Sequence, residues 1–190
     1  MIMFPDQPSA MAVPFPRSYW VESGRLLAGY YPGASVKEEA EAKLGALLDA
    51  GIRCIINLVE EGEKNANQHA LRSYQQLLTR IAASRGIEVT YLRIPIRDQD
   101  ITSVATMKII LDTIDSALAQ NRPTYVHCWG GRGRTGTVVG CYLARHGKAI
   151  GEKALARIIS LRRNEETRDQ ASPENEIQRD MVRQWGQVGG

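Results

Sequence analysis

The chain of 190 residues is poor in cysteine, poor in aromatics and free of long apolar runs. Its three cysteines, Cys54, Cys128 and Cys141, are too few and too scattered for a disulfide framework or a zinc cluster. Free thiols and a cytoplasmic setting are therefore expected, with no metal and no cofactor. No apolar stretch approaches the roughly 18 residues of a membrane span, which argues against integral membrane association. The first 20 residues carry four prolines and one basic residue, Arg17, and lack the basic start and apolar stretch of a signal peptide. A formal net charge of +3 is too small to argue for a nucleic-acid partner. The remaining composition, 43% hydrophobic and 24% charged, is that of one globular domain able to bury a core.

Residues 1–17 lack periodicity and read as an irregular arm. Beyond them, β-like runs alternate with amphipathic segments. Arg25–Gly29, Cys54–Val59, Val89–Ile94 and Thr124–His127 are the strand candidates. Ser35 and Glu38 have capping-box spacing for a helix that ends before Gly51. Leu71, Tyr74, Leu78 and Ile81 fall at helical spacing, as do Val104, Met107, Leu111, Ile114 and Leu118. Further helices are expected at 135–146, 151–162 and 173–185, the last with Ser172 as its cap and Pro173 at its first position. This alternation predicts an α/β fold: a central, mostly parallel sheet flanked by helices, with the last two covering one face. Ligands in such sheets bind beyond the carboxyl ends of the strands, which directs attention to the loop after 124–127.

That loop reads His127-Cys128-Trp129-Gly130-Gly131-Arg132-Gly133-Arg134-Thr135. Its glycines allow backbone N–H groups to converge on an anion, and the following helix turns its positive end to the same point. A cysteine there is favoured as the thiolate, the nucleophilic form. The planar fork of Arg134 can hold two oxygens of a phosphoryl group. Thr135 can donate a hydrogen bond to the sulfur, and His127 can organise the loop from behind. Trp129, Gly130, Gly131, Arg132 and Gly133 complete the phosphate-binding turn. The parts suit phosphoryl transfer through a cysteinyl-phosphate intermediate. The Lys-Ser/Thr ending of a nucleotide-binding loop is missing, which disfavours ATP hydrolysis.

The stretch Val126–Thr135 (His-Cys, five residues, Arg, Thr) resembles the signature of the cysteine-dependent protein tyrosine and dual-specificity phosphatases. The wider segment from Ile94 to Trp185 resembles the cyclin-dependent-kinase-associated phosphatase and Cdc14-like group. The resemblance implies a single-domain phosphatase spanning 18–190, with a phosphorylated protein as substrate, monomeric by default. It also implies a general acid about 30 residues before the nucleophile. Asp98 is 30 positions before Cys128 and follows Pro95-Ile96-Arg97, which selects it; Asp100 is the alternative, or a helix cap. Gln178 falls where the family often positions the hydrolytic water, and reads equally as a solvated helix residue. Arg162 and Arg163 either border the site or complement a helix end.

Two positions depart from the common protein-phosphatase loop. Trp129 follows the nucleophile, and Arg132 adds a second basic residue of the kind found in enzymes that handle several phosphates. Phosphotyrosine, with phosphoserine or phosphothreonine, ranks first as substrate, and an inositol phosphate or phosphoinositide second; a binding module without turnover is a remote alternative. Cys54 and Cys141 are read as buried structural residues, with oxidative trapping of Cys128 as the alternative. Finally, residues 121–150 contain no acidic residue, so their formal charge is +5 against +3 for the whole chain. The excess is gathered around the loop, as suits a small anion drawn to one point.

Overall fold

The computed structural model describes residues 11–65 and 67–188. Among these residues five strands, β1 (Ser18–Glu22), β2 (Leu26–Gly29), β3 (Cys54–Asn57), β4 (Thr90–Arg93) and β5 (Thr124–His127), form one sheet in the order β1-β2-β5-β3-β4. All neighbours are parallel except β1, which returns antiparallel on β2. Among the described residues six helices surround the sheet: α1 (Lys37–Asp49), α2 (Gln75–Ser84), α3 (Val104–Ala119), α4 (Gly133–Arg145), α5 (Glu152–Leu161) and α6 (Glu176–Val188).

The period-two alternation of the strands divides the core into two layers. Leu26, Ala28, Cys54, Ile56 and Val126 face α3 to α6, whereas Leu27, Ile55 and Tyr125 face α1 and α2. α5 and α6 pack on α4 and complete the first layer, as the alternation predicts. Helix α4 is buried from Gly133 through Ala144, because it is flanked by the sheet and by α3, α5 and α6. At Gly140 a Cβ would stand 2.5 Å from Val182, so glycine permits the close approach of α4 and α6.

Several boundaries differ from the sequence expectation. β1 is an additional strand, with Tyr19 and Val21 buried, next to the proline-rich stretch that hides it in the sequence. Residues 11–17 form no helix or strand, yet Phe15 is buried in the α1–α2 layer. α1 starts at Lys37 after Val36, without a side-chain cap, so Ser35 caps nothing. α2 starts only at Gln75, leaving Leu71 before it. α4 starts two residues earlier than Thr135, at Gly133. α6 starts at Glu176 rather than Pro173. The Ser172–Pro173 peptide is cis, and the Asn175 Oδ1 accepts the Gln178 N–H as the actual cap. Among the described residues no helix is long and apolar enough to cross a membrane.

Candidate active site

β5 is the central strand, and its carboxyl end delivers His127 and Cys128 to the middle of that edge of the sheet. The loop 128–132 then turns directly into α4. Its carbonyls are tied to the surrounding scaffold. The Trp129 carbonyl accepts from the Tyr31 N–H (3.0 Å), and the Gly130 carbonyl accepts from Arg17 Nη2 (3.1 Å). The Arg132 carbonyl accepts from the Gly136 N–H and from Ser172 Oγ. Gly131 has φ +74°, and a Cβ there would lie 2.6 Å from the Gly29 carbonyl carbon, so only glycine fits this turn over β2. The Gly131 N–H donates to Cys128 Sγ at 3.3 Å. Cys128 is 2% exposed and Arg134 1% exposed.

Arg134 reaches forward from the first turn of α4 and meets carboxylates from two other loops. Its Nη1 and Nη2 donate to both oxygens of Glu63 at 2.7 Å, in the parallel fork geometry of a strong pair. Nη2 also lies 2.8 Å from Asp98 Oδ1, and Nη1 donates to the Ile96 carbonyl at 3.0 Å. Burial works against the guanidinium charge. The Glu63 hydrogen bonds, with the charges of Cys128, Glu63 and Asp98, more than offset that and push its pKa above the ordinary value. Glu63 follows β3 and Asp98 follows β4, so all three loops stand at the carboxyl edge of the sheet.

His127 is buried beneath the loop. Nδ1 faces the Cys128 carbonyl at 3.1 Å and must donate, so Nε2 accepts from the Tyr74 hydroxyl at 2.5 Å. Burial, with a smaller push from Arg134, lowers its pKa to about 3; the Cys128 carbonyl contact acts the other way. The imidazole is therefore a neutral spacer between Tyr74 and the loop. Thr135 Oγ1 donates to the Gly29 carbonyl at 3.4 Å rather than to the sulfur.

Asp98 lines the cleft above Cys128 and is 54% exposed. Asp100 turns away and accepts its neighbour's Ile101 N–H at 2.8 Å. The helix that follows is capped by Ser103, which accepts from the Thr106 N–H. Gln178 is fully buried and occupied at both ends. Its Oε1 accepts from the Glu174 and Asn175 N–H groups, and its Nε2 donates to the Asp100 carbonyl. It ties the start of α6 to the Asp98 loop. Arg132 is held by Glu174 at 2.7 Å. Arg162 is buried in an ion pair with Glu165 and bonds to Thr167 and Gln170, bracing the segment after α5. Arg163 is exposed. Cys54 and Cys141 are buried free thiols whose pKa values burial pushes up, and neither lines the cleft.

The cleft encloses about 500 Å³. Besides Cys128, Asp98 and residues of the loop, it is lined by Arg17, Lys64 and Glu174, none of which the motif spacing singled out for this site. Glu63, on Arg134, was missed as well. A usable signal existed for it: the run Glu60-Glu61-Gly62-Glu63 stands just past a strand whose carboxyl end had to face the site. Among the described residues no cluster of metal-binding side chains is present.

A parallel sheet with a buried cysteine and arginine in a glycine-rich strand-to-helix loop is the architecture of the cysteine-dependent phosphatases. The family profile described as "Polymorphic toxin system, DSP-PTPase phosphatase" matches residues 33–148, and the chain belongs to this family. A relative from Invertebrate iridescent virus 3, named as tyrosine phosphatase 067L, is 28% identical over 131 residues, covering 67% of this chain and 45% of that protein. Phosphatidylglycerophosphate phosphatase PTPMT2 of Arabidopsis thaliana is 36% identical over 76 residues, covering 40% of this chain and 33% of that protein. The chain thus matches less than half the length of these curated relatives. The solved structure of kinase associated phosphatase (KAP) superposes with a TM-score of 0.64 at 20% identity, covering 89% of this chain and 92% of that one. The fold expected from the sequence is met, and kinase associated phosphatase is among the solved structures that share it.

Proposed function

We propose that the protein hydrolyses phosphomonoesters without a metal, with Cys128 as nucleophile, Arg134 as phosphate clamp and Asp98 as general acid. The observation that carries this is convergence: three residues from two loops meet at one cleft, with Sγ receiving a loop N–H and Arg134 in contact with Asp98. In the first half-reaction the thiolate attacks phosphorus, forming the S–P bond as the ester P–O bond breaks. Arg134 and the loop amides take the charge on the equatorial oxygens, and Asp98 gives its proton to the leaving oxygen. In the second, a water oxygen bonds to phosphorus as the S–P bond breaks, Asp98 takes a proton from that water, and inorganic phosphate leaves the regenerated Cys128 thiolate.

The Asp98–Arg134 contact gives this sequence a built-in order. An incoming phosphate competes with Asp98 for Nη2; freed from the ion pair, Asp98 takes over the proton that the substrate monoanion brings and passes it to the leaving group. Glu63 continues to hold the guanidinium from the other side, so the clamp keeps its orientation through both steps. The substrate proposed is a phosphotyrosyl protein, in keeping with the name of the viral relative. A non-protein phosphomonoester is the second reading, favoured by the plant relative's name and by the cations that line the cleft. The test is hydrolysis of p-nitrophenyl phosphate in the presence of a chelator. Turnover should persist with chelator and vanish in Cys128→Ser; activity that survives the substitution, or that requires a divalent metal, rules the mechanism out.

A further inference from the structure

The cations of the cleft are not equivalent. Arg134 is matched by Glu63 and Asp98, and Arg132 is matched by Glu174. Arg132, the residue that the sequence marks for a second phosphate, is thus already neutralised. Two cations remain without a carboxylate among the described residues, Arg17 and Lys64, and both line the same cleft as Cys128. Arg17 is set in place. Its guanidinium lies 4.4 Å over the Tyr30 ring, and Nη2 donates to the Gly130 carbonyl at 3.1 Å. Its Nε is buried with no hydrogen-bond partner. Stacking and one anchoring bond hold the fork in position while leaving donors unused, which is the state that a recognition arginine needs before its anion arrives. A cleft of about 500 Å³ falls in the range of pockets that enclose an organic ligand well beyond a single phosphoryl group.

We infer that Arg17 and Lys64 form a second anion subsite, which selects phosphomonoesters carrying another phosphate or carboxylate near the scissile group. This rests on the phosphatase reading for the reacting phosphate and adds a substrate requirement to it. The anion can come from a peptide, as an acidic or phosphorylated neighbour of the target residue, or from a polyol such as an inositol bisphosphate. Charge-assisted bonds to one arginine correspond to roughly ten- to hundredfold in selectivity.

The experiment compares kcat/KM for p-nitrophenyl phosphate, a phosphotyrosyl peptide flanked by aspartates, the same peptide flanked by serines, and inositol mono- and bisphosphates. The wild-type protein should prefer the doubly anionic member of at least one pair, and which pair responds identifies the source. Arg17→Gln should reduce that preference by roughly tenfold or more, Lys64→Gln by less, and Arg17→Lys should recover part of it. Lys64→Gln provides a readout free of the Gly130 contact, should Arg17→Gln disturb the loop. Equal losses on every substrate would show that Arg17 only braces Gly130, and no wild-type preference would remove the subsite; either result overturns the inference. Calorimetric binding of the same ligands to Cys128→Ser reads the preference without turnover. An inactive wild-type protein that still binds the doubly anionic ligand better refutes the phosphatase reading and leaves the subsite standing.

Discussion

The glycine-rich loop after β5 and the loops that bring carboxylates to its arginines are built on opposite principles. The first is one continuous stretch, 127–135, pinned between the central strand and the most deeply buried helix. Its carbonyls bond backward, and its two working side chains are almost wholly covered. The second group comes from three separate connections, after β3, after β4 and before α6. Glu63 is nearly buried, Glu174 partly open and Asp98 more than half exposed. The lesson is a division of labour. The proposed cradle would have to present a fixed geometry to the transition state, and its loop is anchored between two buried regular elements, β5 and α4. In the proposed mechanism Asp98 must leave Arg134 to reach a leaving group, and it sits on an exposed turn, with Gln99 at φ 57° beside it.

Four experiments press on that contrast. The largest effect is expected in the cradle: Arg134→Lys keeps a charge but loses the fork, and kcat should fall about a thousandfold with little change in fold, as read by steady-state kinetics and circular dichroism. Next, Glu63→Gln leaves a buried guanidinium short of its main partner. Stability in urea should fall by on the order of 3 kcal/mol, and added phosphate should restore part of it by replacing the lost charge. Restoration by neutral osmolyte alone, with none from phosphate, would mean that Glu63 serves packing rather than the clamp. Third, Asp98→Asn should lower kcat roughly a hundredfold on alkyl phosphates and much less on p-nitrophenyl phosphate, whose leaving group needs little protonation. A uniform loss would place Asp98 in the fixed cradle and erase the contrast.

The smallest effect concerns the support beneath the loop. His127 has a folded pKa of about 3 against an ordinary 6.5. Below pH 6.5 the unfolded chain binds a proton that the folded imidazole refuses. Its contribution is thus complete above 6.5 and is lost as pH falls toward 3. Between pH 7 and pH 5 this amounts to about 2 kcal/mol, at about 1.4 kcal/mol per unit. Urea midpoints should show that extra loss in the wild-type protein and not in His127→Asn.

The same contrast explains what could be read from the chain alone. Cys128, Arg134 and the glycines between them lie within a few residues of each other, and their chemistry is a matter of local spacing. The central strands and the α3 stripe follow from side-chain periodicity that tertiary packing had only to accept. Glu63 is 71 positions from Arg134 and Glu174 is 42 from Arg132, and no local pattern links such pairs. Helix starts failed where a nearer competitor won. Ser172 looked like a cap, but its hydroxyl serves the Arg132 carbonyl, and Asn175 caps α6 instead. Thr135 likewise spends its hydroxyl on Gly29. β1 was hidden because its alternation begins directly after Pro14 and Pro16, while the antiparallel pairing that rescues it comes from β2.

The central claim is that phosphate passes through the sulfur of Cys128. The most direct measurement is acid quench during turnover of a phosphorylated substrate, followed by peptide mass spectrometry. One added phosphoryl group is expected, confined to the peptide that contains Cys128 and absent from Cys128→Ser. A phosphoryl group on another residue, or steady turnover with none on the protein at any quench time, would contradict it.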